Sequence, residues 1–237
     1  MIYIITHKNV SITYPKWKGY RVLQVGGAFS EPAYKLVDNS GDNISLKNKT
    51  FCELTGLYWI WKNCKNDSVI GLVHYRRFFV YPMWKKIAGK IPVKYRMVSI
   101  KESEKILQQF DIIVPNLFIY KTSVWDNYKN EHSESDLIVV RKIIEERHRD
   151  YLNDFDVVFR EHMMYGCNMF VARYEFVDRY CMWLFDILFE AEKRIDISQY
   201  DAYQKRVFGF LAERLLNVYI RHNNLKVYES IVDFIEN

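Results

Sequence analysis

Val69-Ile-Gly-Leu-Val73 is an unbroken apolar run that stops at His74-Tyr75-Arg76-Arg77. Both alternating sets of side chains in it are apolar, so as a strand it has no face to offer water. It must lie in a sheet covered on both sides. Met1 to Thr6 repeats the pattern, apolar and β-branched, with His7-Lys8 at its end. Arg21 to Val25 reads as a further strand running into Gly26-Gly27-Ala28. Asp111 to Val114, stopped by Pro115, and Cys167 to Ala172, preceded by Gly166, read as others, and Leu225 to Tyr228 as a last one.

Helical periodicity fills the gaps between these runs. Thr50 and Glu53 have capping-box spacing ahead of Leu54, Leu57, Tyr58 and Trp61, which share one helical face. Ser99 and Glu102 repeat the spacing before a helix to about Phe110. Further helices are predicted over about Ser135 to Arg147, Tyr174 to Lys193 and Asp201 to Arg221. Strands alternating with helices predict an α/β fold, a single domain over residues 1–237 with a mostly parallel sheet flanked by helices. Tyr81 to Val98 is basic, aromatic and broken by Pro82, Gly89 and Pro92, and reads as a loop or lid inserted in that domain.

A chain of 237 residues with 49% hydrophobic content can bury a core, which excludes a disordered chain. The aromatic content of 16% reads first as a bulky core. The net charge of +5 says less than its distribution. No acidic residue stands between Asp67 and Glu102, while Arg76, Arg77, Lys85, Lys86, Lys90, Lys94, Arg96 and Lys101 do. A positive face of this kind suits a nucleotide diphosphate, an anionic lipid surface or nucleic acid. The cysteines Cys52, Cys64, Cys167 and Cys181 form no C-x-x-C pair and read as buried free thiols. Met1 to Thr6 lacks the basic start of a signal peptide, and no apolar run nears ~18 residues. A cytoplasmic chain is expected.

In covered α/β sheets, ligands bind beyond the carboxyl ends of the strands. That rule gathers His7, Gly26-Gly27, His74 to Arg77 and Pro115-Asn116 at one crevice. Adjacent arginines on a rigid strand end can bind phosphate bidentately and cannot lose their charge. The turn-rich loop Asp38 to Asn43, with Lys47-Asn48 after it, offers groups to a ribose, a sugar ring or a phosphate, or is a solvated turn. His132 and Asp136 stand at i, i+4 near a helix start, as ligand contacts or as a cap. Glu213 flanks the apolar stripe of the last long helix, as a general base or as an ion-paired acid. H-E-x-x-H, a Walker loop and G-x-G-x-x-G are absent; Asp154-Phe155-Asp156 is the one D-x-D, and it does not follow a buried strand, which argues against a metal site there.

The sequence also resembles a known family on Thr6-His7-Lys8, Gln24-Val-Gly-Gly-Ala28, Asp38-Asn-Ser-Gly-Asp-Asn-Ile-Ser45, Lys47-Asn48 and Cys52-Glu-Leu-Thr-Gly-Leu-Tyr-Trp59. Gly71-Leu-Val-His-Tyr-Arg-Arg-Phe-Phe79 is the most specific piece; Asn168-Met-Phe170, Trp183 to Glu190 and Glu213-Arg-Leu-Leu-Asn217 complete it. It resembles the small bacterial polysaccharide glycosyltransferases long known only as a domain of unknown function, whose members act as galactofuranosyltransferases in capsule, exopolysaccharide and O-antigen assembly. The resemblance implies a GT-A-like, Rossmann-like fold, a nucleotide-sugar donor, most often UDP-galactofuranose, and inversion at the anomeric carbon. Gly27 stands where many relatives have Ala.

Carried onto this sequence, the resemblance implies a donor site of Thr6, His7, Gly26, Asp38, Asn39, Asp42, Asn43, Lys47, Asn48, Tyr75, Arg76 and Arg77. The arginines would neutralise the diphosphate in place of a metal, so that no cofactor is required. Glu213 is the expected base, with Asp201 as second choice, and His74 beside the arginines is the third expected catalytic residue. His132, Asp136 and Asn168 would face a lipid-linked glycan or oligosaccharide acceptor. Trp84 to Arg96 would touch an anionic membrane at its inner face. The rival readings are a pyranosyl transferase of the same fold, a non-catalytic assembly subunit, and a nucleic-acid-binding basic module. The last has no recognition motif behind it.

Overall fold

The computed structural model describes residues 1–9, 19–84 and 93–234. Its strands are β1 (Ile2–Thr6), β2 (Tyr20–Gln24), β3 (Leu36–Val37), β4 (Val69–His74), β5 (Arg77–Trp84), β6 (Val93–Met97), β7 (Ile112–Pro115), β8 (Phe118–Ile119), β9 (Met163–Met164), β10 (Phe170–Arg173) and β11 (Val227–Phe234). Its helices are α1 (Asn48–Phe51), α2 (Leu54–Asn63), α3 (Ile100–Ile106), α4 (Val124–Glu131), α5 (Glu134–Arg147), α6 (Leu152–Arg160), α7 (Tyr174–Arg194) and α8 (Val207–His222).

Nine strands form one sheet in the order β3-β2-β1-β4-β10-β7-β11-β5-β6, and β8 pairs with β9 apart from it. β1, β2, β3 and β4 run parallel, as does β11 beside β7. β10 runs antiparallel between β4 and β7, and β5 antiparallel between β11 and β6. The sheet is therefore mixed, not mostly parallel. The reason lies in the connections. Only Tyr75 and Arg76 separate β4 from β5, and His74 pairs with Arg77 across the turn. A link that short can only reverse the chain, because a parallel neighbour needs a crossover of a dozen residues or more.

The alternation of side chains divides the core. Tyr3 and Ile5 of β1 join Ile70, Leu72 and Phe170 against α2, α5, α7 and α8. Ile2 and Ile4 join Val69, Val73 and Val171 in a smaller cluster on the opposite face, where α3 packs. Gly56 lets α2 approach the sheet, since a Cβ there would stand 2.9 Å from both Ile5 and Val25. No helix among the described residues is long and apolar enough to cross a membrane.

The two capping boxes have different fates. Ser99 and Glu102 form theirs at the start of α3. Thr50 and Glu53 do not, because Cys52 takes φ 51° and breaks the chain between α1 and α2. Thr50 Oγ1 donates to the Lys47 carbonyl instead, and Glu53 is released for another partner. Residues 81–84 and 93–97, expected within a loop or lid, are paired strands; residues 85–92 lie outside the described residues.

Asp38 is fully buried and holds the end of β2. Its carboxylate accepts from Gly26 N at 3.1 Å, Gly27 N at 3.0 Å, Ser45 Oγ at 2.6 Å and Thr55 Oγ1 at 2.6 Å. Removing it strands three buried donors and leaves Thr55 Oγ1 only the Cys52 carbonyl at 3.2 Å, so Asp38→Ala should lower the unfolding free energy by about 3 kcal/mol or more, as read by urea denaturation.

Candidate functional site

A cavity of about 750 Å³ opens where β1 and β4 end, β5 begins and the chain turns into β10. Thr6, His7, Asn48, His74, Tyr75, Arg76, Arg77 and Glu213 line it, together with Lys49, Cys52, Glu53, Cys167, Lys205 and Arg206. The β4–β5 turn thus carries both arginines to the wall of the cavity. Thr6 is buried and supports the turn into the cavity, its Oγ1 bonding both Lys8 N and Lys8 O.

The floor is a strained turn. Cys167 and Asn168 both adopt left-handed backbone, φ 71° and 47°, which non-glycine residues hold only where the surroundings impose it. Four contacts impose it here. His74 Nε2 lies 2.6 Å from the Cys167 carbonyl, and Cys167 N donates to Glu213 Oε1 at 3.1 Å. Asn168 Nδ2 donates to Glu53 Oε1 at 2.6 Å and to the Gly209 carbonyl at 3.0 Å. A carbonyl only accepts, so His74 carries its proton on Nε2. Burial pushes the imidazole below its usual pKa, which keeps it neutral.

Charge is arranged unevenly in the cavity. Lys49, Arg76, Arg77, Lys205 and Arg206 face two carboxylates, Glu53 and Glu213. Among the described residues none of these five cations lies within ion-pair distance of an acid. Arg76 lies over Tyr75 at 5.1 Å and Arg77 over Phe234 at 5.3 Å. The field is felt at His7, whose pKa is lowered by partial burial and then by Lys8, Arg206 and Arg76. Burial raises Glu213, offset in part by Arg214, whose Nη1 is 3.4 Å from Glu213 Oε2. Burial also pushes the thiols of Cys52 and Cys167 up to about 11, so both stay protonated.

Other expected site residues lie elsewhere. Gly26 and Asp38 form the buried bonds described above, which leaves the Asp38 carboxylate no free oxygen for a sugar. Asn39 donates to the Gly27 carbonyl and Asn43 to the Gly41 carbonyl, while Asp42 accepts from Tyr58. Lys47 is held by both oxygens of Glu192 at 2.7 Å. His132 stacks on Phe210 at 4.1 Å and bonds Gln204, and Asp136 is buried against Tyr128 and Tyr200. Asn168 lies under the cavity as part of its floor, and Asp201 Oδ1 accepts from Gln204 N at 2.7 Å. Pro115-Asn116 does not line the cavity.

Among the described residues no group of three or more His, Cys, Asp or Glu could hold a metal. In the D-x-D, Asp156 is bonded twice by Arg141, at 2.8 and 2.7 Å, and Asp154 meets Arg221 and His222.

The chain matches the domain of unknown function DUF4422 over residues 1–224. It belongs to the DUF4422 family. A solved structure similar to it is the apo structure of WbbM, a bifunctional glycosyltransferase, at 29% identity and a TM-score of 0.85. That likeness covers 100% of this chain and 45% of the WbbM chain. No curated protein matches.

Within this DUF4422 chain, the sequence reading missed Glu53, Lys49, Lys205 and Arg206 as cavity residues. The spacing of Thr50 and Glu53 gave Glu53 a capping role, and Arg206 fell inside the helix predicted over about Asp201 to Arg221. A readable signal was present: Lys205-Arg206 stands directly before an apolar helix, as Arg76-Arg77 stands at a strand end.

The raised pKa of Glu213 has a consequence for stability. The folded state disfavours its ionised form, so stability falls as pH rises from the ordinary value of 4.5 towards the folded pKa. Glu213→Gln keeps an acceptor for Cys167 N without the charge. Its urea midpoint should exceed that of the wild type at pH 7, and the difference should vanish below pH 4.5.

Proposed function

We propose that this chain is an inverting glycosyltransferase that moves a hexose, galactofuranose, from a UDP-sugar to a lipid-linked glycan or oligosaccharide acceptor in bacterial surface polysaccharide synthesis. One observation carries the reading: cations without acidic partners surround a cavity that also holds two carboxylates. Breaking a glycosyl–diphosphate bond needs positive charge at the leaving group and a base at the acceptor, and both are present. The likeness to WbbM supports the reaction class. The sugar and the acceptor come from the resemblance on Gly71 to Phe79 and its companion motifs.

In this reading the nucleoside lies near Thr6 and His7, and the diphosphate lies on Arg76 and Arg77. Fixed guanidinium groups stabilise the charge that grows as the anomeric bond breaks, without a metal. Glu213 takes the proton of the acceptor hydroxyl during in-line attack. Glu53, its neighbour across the Cys167-Asn168 turn, replaces Asp201 as the competing base. The fold is a variant of the GT-A type in which a hairpin turn carries the cations. The chain would work in the cytoplasm at the inner membrane face.

The direct test is a panel of UDP-sugars with release of UDP as the readout. UDP-galactofuranose should turn over fastest, and EDTA should leave the rate unchanged. Preference for a pyranose would reassign the donor, and loss of activity in EDTA with recovery in manganese would end the arginine-for-metal idea. Glu213→Gln should lower kcat by roughly 100-fold or more. The wild-type rate should fall with acidity through a pKa above 4.5. Retention of near-normal turnover by Glu213→Gln with loss in Glu53→Gln would transfer the role to Glu53.

A further inference from the structure

Arg206 stands in the short turn before α8, far in sequence from the Arg76-Arg77 pair, yet it lines the same cavity. Its side chain is held on two sides. Nε donates to Cys52 Sγ at 3.3 Å, and the guanidinium lies over the rings of Tyr203 at 5.7 Å and Phe210 at 5.4 Å. Phe210 is itself stacked on His132. The Nη edge has no bonding partner among the described residues. Arginine is rich in rotamer entropy, and here much of it is already lost before any anion arrives. An arginine fixed by a thiol and two rings, with no acid among the described residues within ion-pair distance, is poised for an anion from outside.

We propose that Arg206 is a ligand of the donor's diphosphate, acting with Arg76 and Arg77 and positioned by Cys52; this rests on the nucleotide-sugar reading above. The juxtaposition has independent support. His7 experiences Arg206 and Arg76 together, and His74 experiences Arg206 and Arg77, so the three guanidiniums share one neighbourhood. The unusual left-handed backbone of Cys52 also gains a purpose. The break between α1 and α2 brings the thiol to Arg206 and frees Glu53 for the floor of the same cavity. Because the thiol stays protonated, it acts as a neutral acceptor and leaves the full charge of Arg206 for the ligand.

Titration calorimetry on the full chain tests this with UDP, UMP and inorganic pyrophosphate as probes. Arg206 is exposed, so its replacement should leave the fold intact. Lys226→Gln, which removes one charge outside the cavity lining, controls for net charge. Arg206→Gln should weaken UDP and pyrophosphate by about tenfold or more, with a much smaller effect on UMP. Cys52→Ala should weaken UDP by a few-fold, while Cys52→Ser, which keeps an acceptor, should not. Equal affinities in Arg206→Gln and Lys226→Gln would overturn the proposal and leave the nucleotide-sugar reading intact, as would equal losses for UMP and UDP. If wild type bound neither UDP nor pyrophosphate, the reading itself would fall. Pyrophosphate binding that depends on Arg206 without UDP binding would keep the anion site and reject the nucleoside.

Discussion

The hydrogen bond between His74 Nε2 and the Cys167 carbonyl joins the two halves of the cavity. It ties the end of β4 to the turn that enters β10, at 2.6 Å. With that turn fixed in left-handed backbone, Cys167 N meets Glu213 and Asn168 meets Glu53. One face of the arrangement sets the carboxylates. On the other, the same strand end carries Tyr75, Arg76 and Arg77. A neutral, proton-donating His74 is therefore a scaffold for groups of both signs. Two left-handed residues cost about 1–2 kcal/mol each, and four hydrogen bonds offset that cost.

The electrostatics follow from this placement. Five cations gathered at a partly enclosed site with only two carboxylates repel one another, and after partial burial the nearby cations lower the pKa of His7 further. Such an arrangement is unfavourable until an anion arrives, and it then binds strongly because the charges need no rearrangement. Glu213 lies deeper, where burial raises its pKa despite Arg214 beside it. A carboxylate of raised basicity next to an anion site is the combination that transfer from a diphosphate requires. What sets the cavity apart is the gathering of five cations around one space with two carboxylates.

Much of the fold was legible because apolar runs and helical periodicity are local. β1, β4, β7, α5 and α7 fall close to where the pattern put them, and the Ser99 box forms as read. Strand direction was not legible: a two-residue turn at Tyr75-Arg76 looks like the start of a crossover until the pairing of His74 with Arg77 is seen. For the site, residues attached to strand ends were the readable ones, so Thr6, His7 and His74 to Arg77 fall together. Residues chosen for loop chemistry behaved differently. Asp38 turned inward because four donors surround it, and Lys47 found Glu192 across a long stretch of sequence. Glu53 was hidden because its role depends on the left-handed Cys52, which no local pattern announces.

The most direct measurement is a crystal structure of the chain with UDP. The account places the diphosphate oxygens within about 3 Å of the Arg76 and Arg77 guanidiniums at the β4–β5 turn. Nucleotide bound away from that turn, or phosphates bridged by a metal to Asp154 and Asp156, would contradict it.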